Sequence, residues 1–297
     1  MKSPTAHKTH RRPDGRSSGG TLRPLACEMS CLQHADGSAL WKAGSTSVLA
    51  AVYGPVAPRQ SSKENSSKAL ITVLCKQTQT AGEHSSAQKG SSASINNEEW
   101  FEPSSSSSSF LVDMISACVK TEAYPRTVIQ IVLSIIQADG SVLACALHAA
   151  VAALLDAGIM MNCLPVATTC LLVHPSDEGN AEHETESNNN TTSSLPLLLD
   201  PVADEEQQPD SSTITFINDS EHPETILGCQ TNIMGGSTNG TTEITRQQSQ
   251  QGGGGIELET LLMSIEAASR ASPAVVAFWR LAVEQKVTRE SQTLWSS

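Results

Sequence analysis

The sequence contains few aromatic residues, no long uninterrupted apolar run and no secretory leader pattern. Phe, Trp and Tyr make up 3% of its 297 residues, so a core built from its 38% apolar residues has to be aliphatic. No run of about 18 uninterrupted apolar residues occurs, so no membrane span is predicted. The N-terminus, with Lys2, Lys8 and Arg16 among Pro and Gly, lacks the apolar region of a secretory signal. We therefore expect a cytoplasmic or nuclear protein.

Basic residues are absent from the middle of the chain: no Lys or Arg occurs between Arg126 and Arg246. The formal net charge is −12, and residues 174–225 hold 13 acidic side chains and no Lys or Arg. The acidity is therefore local, and the rest of the chain is close to neutral. This distribution excludes a basic face extending over the whole protein, as a duplex nucleic acid would require, but leaves room for a small basic patch.

Metal-ligand spacing is also lacking. Of the eight cysteines, only Cys27 and Cys31 lie close together, and neither a Cys-x-x-Cys pair nor paired histidines complete a zinc site. We interpret the cysteines as buried free thiols and predict no metal and no cofactor. His148 lies in a strongly apolar segment and is predicted to be a core or interface residue rather than a catalyst.

One domain is predicted over residues 21–290. Residues 1–20 are expected to be a disordered basic tail in which nothing is buried, and residues 291–297 a second tail. Polar, low-complexity inserts are expected at about 77–109, 174–194 and 235–255.

The apolar patterns predict strands first and buried helices later. Residues 23–76 indicate an antiparallel meander of four strands, and helical spacing begins at Phe110. A buried strand is predicted over Thr127–Ile136, and the helix over Val142–Leu155 is apolar on nearly every face, so it must be buried on nearly every face. The remaining elements are strands over Leu164–Val173, Leu195–Asp200, Ser212–Ile217 and Thr225–Met234, and an amphipathic helix over Ile256–Lys286 kinked at Pro273. This order predicts a two-layer α+β domain with the last helix across the sheet.

Several motifs, taken in order, resemble the RNase PH superfamily. They are Arg23-Pro24-Leu25 with Asp36-Gly37-Ser38, Gly44 to Ala50 with Tyr53-Gly54-Pro55, Ala138-Asp139-Gly140-Ser141, Leu155-Asp156-Ala157-Gly158 and Leu199-Asp200-Pro201. Within the superfamily they are most similar to the exosome component 5 type of ring subunit in the eukaryotic RNA exosome. The resemblance implies an RNase PH-like (ribosomal protein S5 domain 2-like) fold.

The resemblance also implies a chemistry, in which phosphate attacks the 3′-terminal phosphodiester of RNA. Such a site needs Arg and helix N-terminal N–H groups for phosphate, and a carboxylate pair for a metal or the leaving oxygen. Active relatives carry an Arg where Leu143 stands here, and the family carboxylates correspond to Asp200 and Glu206. Losing one donor where charge must be stabilised costs about 2.7–4 kcal/mol, so these degenerate positions predict no catalysis.

Three functions remain open at this stage. The first is a non-catalytic structural subunit of the exosome ring, with other RNase PH-like subunits, an S1/KH cap subunit and single-stranded RNA as partners, located in nucleus, nucleolus and cytoplasm. The second is a weak phosphorolytic or Mg-dependent 3′→5′ exoribonuclease using Asp200, Asp204 and Glu206. The other interpretation of these three residues is a solvated acidic loop. The third is a self-associating RNA-binding module outside the exosome. The residues considered for an RNA-facing basic edge, or else as ordinary solvated side chains, are Lys42, Arg59, Lys63 and Lys68.

Overall fold

Strands rich in β-branched and aliphatic residues build a five-stranded sheet in the first half of the chain. The computed structural model describes residues 12–16, 18–58, 65–77, 106–173, 197–208, 211–233 and 258–295. The strands of the first sheet are β1 (Leu25–Met29), β2 (Gly37–Ala43), β3 (Thr46–Val56), β4 (Leu70–Gln77) and β5 (Val128–Gln137). Their order is β1-β2-β3-β5-β4.

The predicted four-stranded antiparallel meander is wrong at its last strand. β5 pairs antiparallel with β3, and β4 pairs in parallel with the other edge of β5. β5 buries every second residue, from Ile129 to Ile135. This apolar strand takes an interior place between β3 and β4, and β4 is left at the sheet edge.

A second, four-stranded antiparallel sheet forms from the later strands. They are β6 (Pro165–Val173), β7 (Leu197–Leu199), β8 (Ser211–Asp219) and β9 (Ile226–Ile233), in the order β7-β6-β8-β9. All four were predicted, with ends that differ by at most two residues. β6 is buried along almost its whole length because helices and neighbouring strands cover it.

The helices are α1 (Ser106–Cys118), α2 (Val142–Asp156), α3 (Ala203–Glu206) and α4 (Leu258–Trp295). α2 contacts β2 and β3 of the first sheet and β6 of the second, and its residues from Ala144 to Leu154 are all buried. The prediction of a helix buried on nearly every face is thus confirmed. α1 begins earlier than predicted, because residues 106–109 of the serine run form its first turn.

α4 packs against β6, β7 and β8 and also touches β1, as expected for a helix lying across a sheet. It runs through Pro273 without a break and continues to Trp295, so the predicted tail from 291 is wrong for residues 291–295. By length and composition α4 is the one helix, in the part of the chain that the structure describes, that could cross a membrane. Its residues Ala268, Val275 and Trp279 are instead buried in the protein core.

An aromatic cluster joins β2, α2 and α4. The Trp41 ring lies 4.9 Å from that of His148 and 5.9 Å from that of Trp279, and Phe278 meets Trp41 edge to face. The Nε2 atom of His148 accepts a hydrogen bond from the Ala167 N–H at 3.0 Å, so the ring is buried and neutral. The prediction that His148 is a core residue is confirmed.

We expect the free energy of unfolding to decrease at mildly acidic pH because of His148. Burial lowers the pKa of His148 to about 4, whereas an unfolded histidine titrates near 6.5. The unfolded state therefore binds more protons between these values, and stability is lost as the pH falls from about 6.5 toward 4. In urea unfolding at pH 7.5 and pH 4.5, the wild type should lose more free energy of unfolding than His148→Gln, whose amide can accept the same hydrogen bond without titrating. Equal losses in the two proteins would contradict this assignment.

Candidate functional site at the start of helix α2

Two loops meet at the start of α2, and glycine allows their close approach. The turn from β5 into α2 contains Gly140, which has φ +74°, and a Cβ atom there would lie 2.4 Å from the carbonyl oxygen of Pro201. Asp200, at the end of β7, itself has φ +50°. The β5–α2 turn and the loop after β7 are therefore in direct contact. The family resemblance places the phosphate-binding position on the first of these segments and the carboxylates on the second.

Arg23 connects these two loops. Its Nη2 atom lies 2.6 Å from Asp200 Oδ1, and its backbone N–H donates to Asp200 Oδ2 at 3.0 Å. The same guanidinium donates to the carbonyl oxygens of Asp139 and Gly140 and to the Thr46 hydroxyl. Burial by itself would raise the pKa of Asp200, but the hydrogen bonds and charge of Arg23 outweigh it and the pKa is lowered. Asp200 is thus an ionised, fully engaged structural carboxylate.

The solvated acidic loop considered for Asp200, Asp204 and Glu206 describes Asp204 but not the buried Asp200, and Glu205 in the short helix α3 is buried as well. Glu205 is 2% exposed, and its carboxylate receives a two-pronged contact from Arg12, with Nε–Oε1 at 2.8 Å and Nη2–Oε2 at 2.6 Å. Arg12 was expected in a tail without burial, and that expectation is wrong for this residue, which is 6% exposed. The physical reason is pairing: each buried charge is matched by the other. Asp204, which directly precedes Glu205 in sequence, is exposed.

Glu206 closes the N-terminus of α2. Its Oε1 atom accepts a hydrogen bond from the Ser141 N–H at 2.8 Å, at a helix end whose free N–H groups attract anions. Burial raises the pKa of Glu206, and the Ser141 N–H opposes this only in part. A side chain of the protein itself therefore occupies the place where the resemblance puts phosphate.

An open pocket of about 360 Å³ lies beside this contact, and both Leu143 and Glu206 line it. The described residues around it present hydroxyls and amides, and none is basic. They include Ser107, Thr169, Thr213, Thr215, Gln230, Thr231 and Asn232. Such walls can hydrogen-bond a neutral polar group but offer no countercharge to phosphate.

The three carboxylates considered for a metal do not converge. Asp200 is bound by Arg23, Glu206 points to Ser141, and Asp204 faces solvent. Within the described ranges, no group of three His, Cys, Asp or Glu side chains is arranged to hold a metal ion. These residues therefore do not fit the Mg²⁺ of the exoribonuclease alternative.

The structure separates the residues considered for an RNA-facing edge. Lys42 is exposed on β2 and Lys68 is exposed just before β4. β3 and β5 lie between those strands, so the two strands are about 14 Å apart at a spacing of about 4.8 Å per strand. Arg59 and Lys63 lie outside the described residues, so an RNA-binding role for this set stays a prediction.

Sequence reasoning missed the arginines that organise the site. Arg12, Arg16 and Arg23 lie far from the acidic segment in sequence but reach it in space. One local signal was present: Pro13-Asp14-Gly15 is a strong turn sequence, and it is flanked by two arginines. The turn forms, with the Gly15 N–H donating to the Arg12 carbonyl at 2.9 Å.

We expect Asp200→Asn to destabilise the protein by about 3–5 kcal/mol, because it leaves the buried Arg23 charge without its counterion. Urea unfolding at pH 7 measures this loss. Because Arg23 lowers the folded-state pKa of Asp200, the wild-type advantage should disappear as the pH falls through that lowered pKa, below the usual value of 3.8. Glu266→Gln, which breaks the exposed pair with Arg270, is the matched control and should cost under about 0.5 kcal/mol. Equal losses in the two variants would contradict the role given to Arg23.

Comparisons with known proteins show which family this chain is similar to. The profile of the 3′ exoribonuclease family, domain 1, matches residues 21–160. The Exosome complex exonuclease RRP46 homolog of Arabidopsis thaliana is 38% identical over 167 residues, which are 54% of this chain and 59% of that relative. The Exosome complex component RRP41 of Bos taurus is 31% identical over 189 residues, 63% of this chain and 73% of that relative. The chain spans somewhat less than two thirds of the RRP46 homologues of Arabidopsis and rice.

Solved structures show the same fold. Rice (Oryza sativa) Rrp46 matches with a TM-score of 0.62 and 26% identity, over 91% of this chain and 98% of the rice chain. The Archaeoglobus fulgidus exosome with RNA bound to the active site matches with a TM-score of 0.59 and 16% identity, over 91% of this chain and 93% of that chain. The RNase PH-like fold implied by the sequence motifs is confirmed. The chain belongs to the 3′ exoribonuclease (RNase PH) family.

Proposed function

We propose that the protein is a non-catalytic structural subunit of an RNA exosome ring, supporting 3′→5′ RNA processing by helping to form the channel. The observation that carries this proposal is the contact between Glu206 and the Ser141 N–H at the start of α2. A carboxylate in that position competes directly with phosphate for the helix N-terminus.

Electrostatics support the absence of phosphorolysis. Two unit charges of the same sign 4 Å apart repel by about 4 kcal/mol at an effective dielectric constant of about 20, and a phosphate would meet Glu206 at such a distance. The nearby positive charges do not offset this, since Arg23 is paired with Asp200 and Arg12 with Glu205. Leu143 adds only an apolar group to the pocket wall.

The ring role is supported by the relatives and by the fold. The similar proteins are named as exosome components or exosome exonuclease homologues. In this chain the edge strands β1 and β4 of the first sheet, and β9 of the second, are where neighbouring subunits could pair. The proposed partners are other RNase PH-like ring subunits, an S1/KH cap subunit and single-stranded RNA in the channel. The proposed locations are nucleus, nucleolus and cytoplasm.

The catalytic part of the proposal is tested with purified protein, 3′-tailed RNA, inorganic phosphate and Mg²⁺. We expect no nucleoside diphosphate above background from the wild type. Release at the rate of an active family member, abolished by Asp200→Asn under conditions where that variant remains folded, would overturn the proposal in favour of the exoribonuclease alternative.

A double variant that adds a positive charge to the pocket tests the electrostatic explanation for the expected absence of phosphorolysis. Leu143→Arg combined with Glu206→Gln places a cation in the pocket and removes the carboxylate. We expect inorganic phosphate to bind this variant at least about 10-fold more tightly than the wild type, since each 1.4 kcal/mol is a factor of ten. Titration calorimetry measures the affinity, and Leu143→Met combined with Glu206→Asp, which adds no cation and keeps the carboxylate, is the control. Equal phosphate affinity in both double variants would contradict the explanation.

The assembly part is tested by co-expression with the RNase PH-like exosome subunits of the same organism. Native mass spectrometry should find one copy of this chain in a ring of such subunits. A homogeneous self-assembly without the other subunits would instead favour the RNA-binding module outside the exosome.

A further inference from the structure

Residues 12–16 form a small loop that lies across the end of β7. The Arg12 N–H donates to the Arg16 carbonyl at 3.0 Å, and the Gly15 N–H donates back to the Arg12 carbonyl, which closes the loop. Both arginines project onto the same strand end: Arg12 Nη1 donates to the Leu199 carbonyl at 2.9 Å, and Arg16 Nη2 donates to the Asp200 carbonyl at 2.8 Å. We call residues 12–16 the clasp.

The clasp is attached by polar contacts. Of its five residues only Arg12 is buried, while Pro13 and Asp14 are exposed. No apolar side chain of the clasp enters the core, so its release exposes little apolar surface. What holds it is the two-pronged Arg12–Glu205 ion pair together with hydrogen bonds to carbonyl oxygens.

The ion pair continues into the site through α3. Glu205 Oε2 also accepts a hydrogen bond from the Val202 N–H at 3.1 Å, and the next residue, Glu206, reaches the Ser141 N–H. A four-residue helix such as α3 does not hold its shape by itself, because helix nucleation is unfavourable. Fixing Glu205 therefore also fixes where Glu206 points.

We propose that the clasp holds the site in a closed state: while Arg12 is bound to Glu205, Glu206 stays on the Ser141 N–H and covers the start of α2. When the clasp is released, α3 loosens and the Ser141 N–H becomes free to meet solvent or an external anion. This inference rests on the proposed function, because it concerns the same site at the start of α2. It adds that residues 12–16, near the N-terminus, keep that site closed.

The test is amide hydrogen exchange of the full-length protein, followed by mass spectrometry of peptides covering residues 139–146. Arg12→Gln and Glu205→Gln each remove the Arg12–Glu205 ion pair. We expect amide hydrogen exchange at the start of α2 to accelerate at least about 10-fold in both variants. Glu206→Ala removes the closing carboxylate itself and defines the fully open rate. Arg12→Lys keeps the charge and should restore part of the protection. Arg270→Gln, which breaks an exposed ion pair on α4, is the matched control and should change nothing there.

Peptides from β5 separate regulation from simple loss of stability. In the clasp variants, exchange over residues 129–135 should stay at the wild-type rate. Unchanged exchange at the start of α2 in both glutamine variants would overturn the proposal. So would a uniform acceleration over the whole protein, because it would make the clasp a general stabilising contact. Neither outcome depends on phosphorolysis, so nucleoside diphosphate release by the wild type would overturn the proposed function without deciding on the clasp.

Discussion

The buried ion pair between Arg23 and Asp200 is the interaction on which the site depends. Arg23 precedes the first strand, Asp200 follows β7, and the same guanidinium also reaches the carbonyl oxygens of Asp139 and Gly140. Three segments that are far apart in sequence are thereby held at the start of α2. An isolated buried charge would be very costly, so neither residue can be lost without affecting the whole arrangement.

Charge pairing also explains what the carboxylates of the acidic segment do in the fold. Its carboxylates could have been a metal site or a repulsive solvated loop, but Asp200 and Glu205 are each neutralised by an arginine, and Glu206 caps the α2 N-terminus. The site is thus occupied by the protein's own groups. We propose that this fold, which is shared with the Archaeoglobus fulgidus exosome, serves here as a building block of a ring.

The elements that followed from periodicity were mostly correct for a physical reason. A segment such as Val142–Asp156, apolar on all sides, has no stable place except between two covering layers, and the structure puts it between the two sheets. The pairing of β4 was wrong because strand neighbours are chosen by competition among all strands, and β5, distant in sequence, is the better partner for β3. Arg12 was misjudged because a polar, Pro- and Gly-rich segment has the composition of a disordered tail, and its partner Glu205 lies 193 residues away.

The sequence by itself determined the family, the fold class and the buried helix, because motifs and apolar patterns are local properties of the chain. Only the tertiary structure decided which charges are paired, that Glu206 meets the Ser141 N–H, and that the pocket presents hydroxyls and amides. Electrostatic roles depend on distances of 3–4 Å between residues of remote segments, and such distances exist only after the chain has folded.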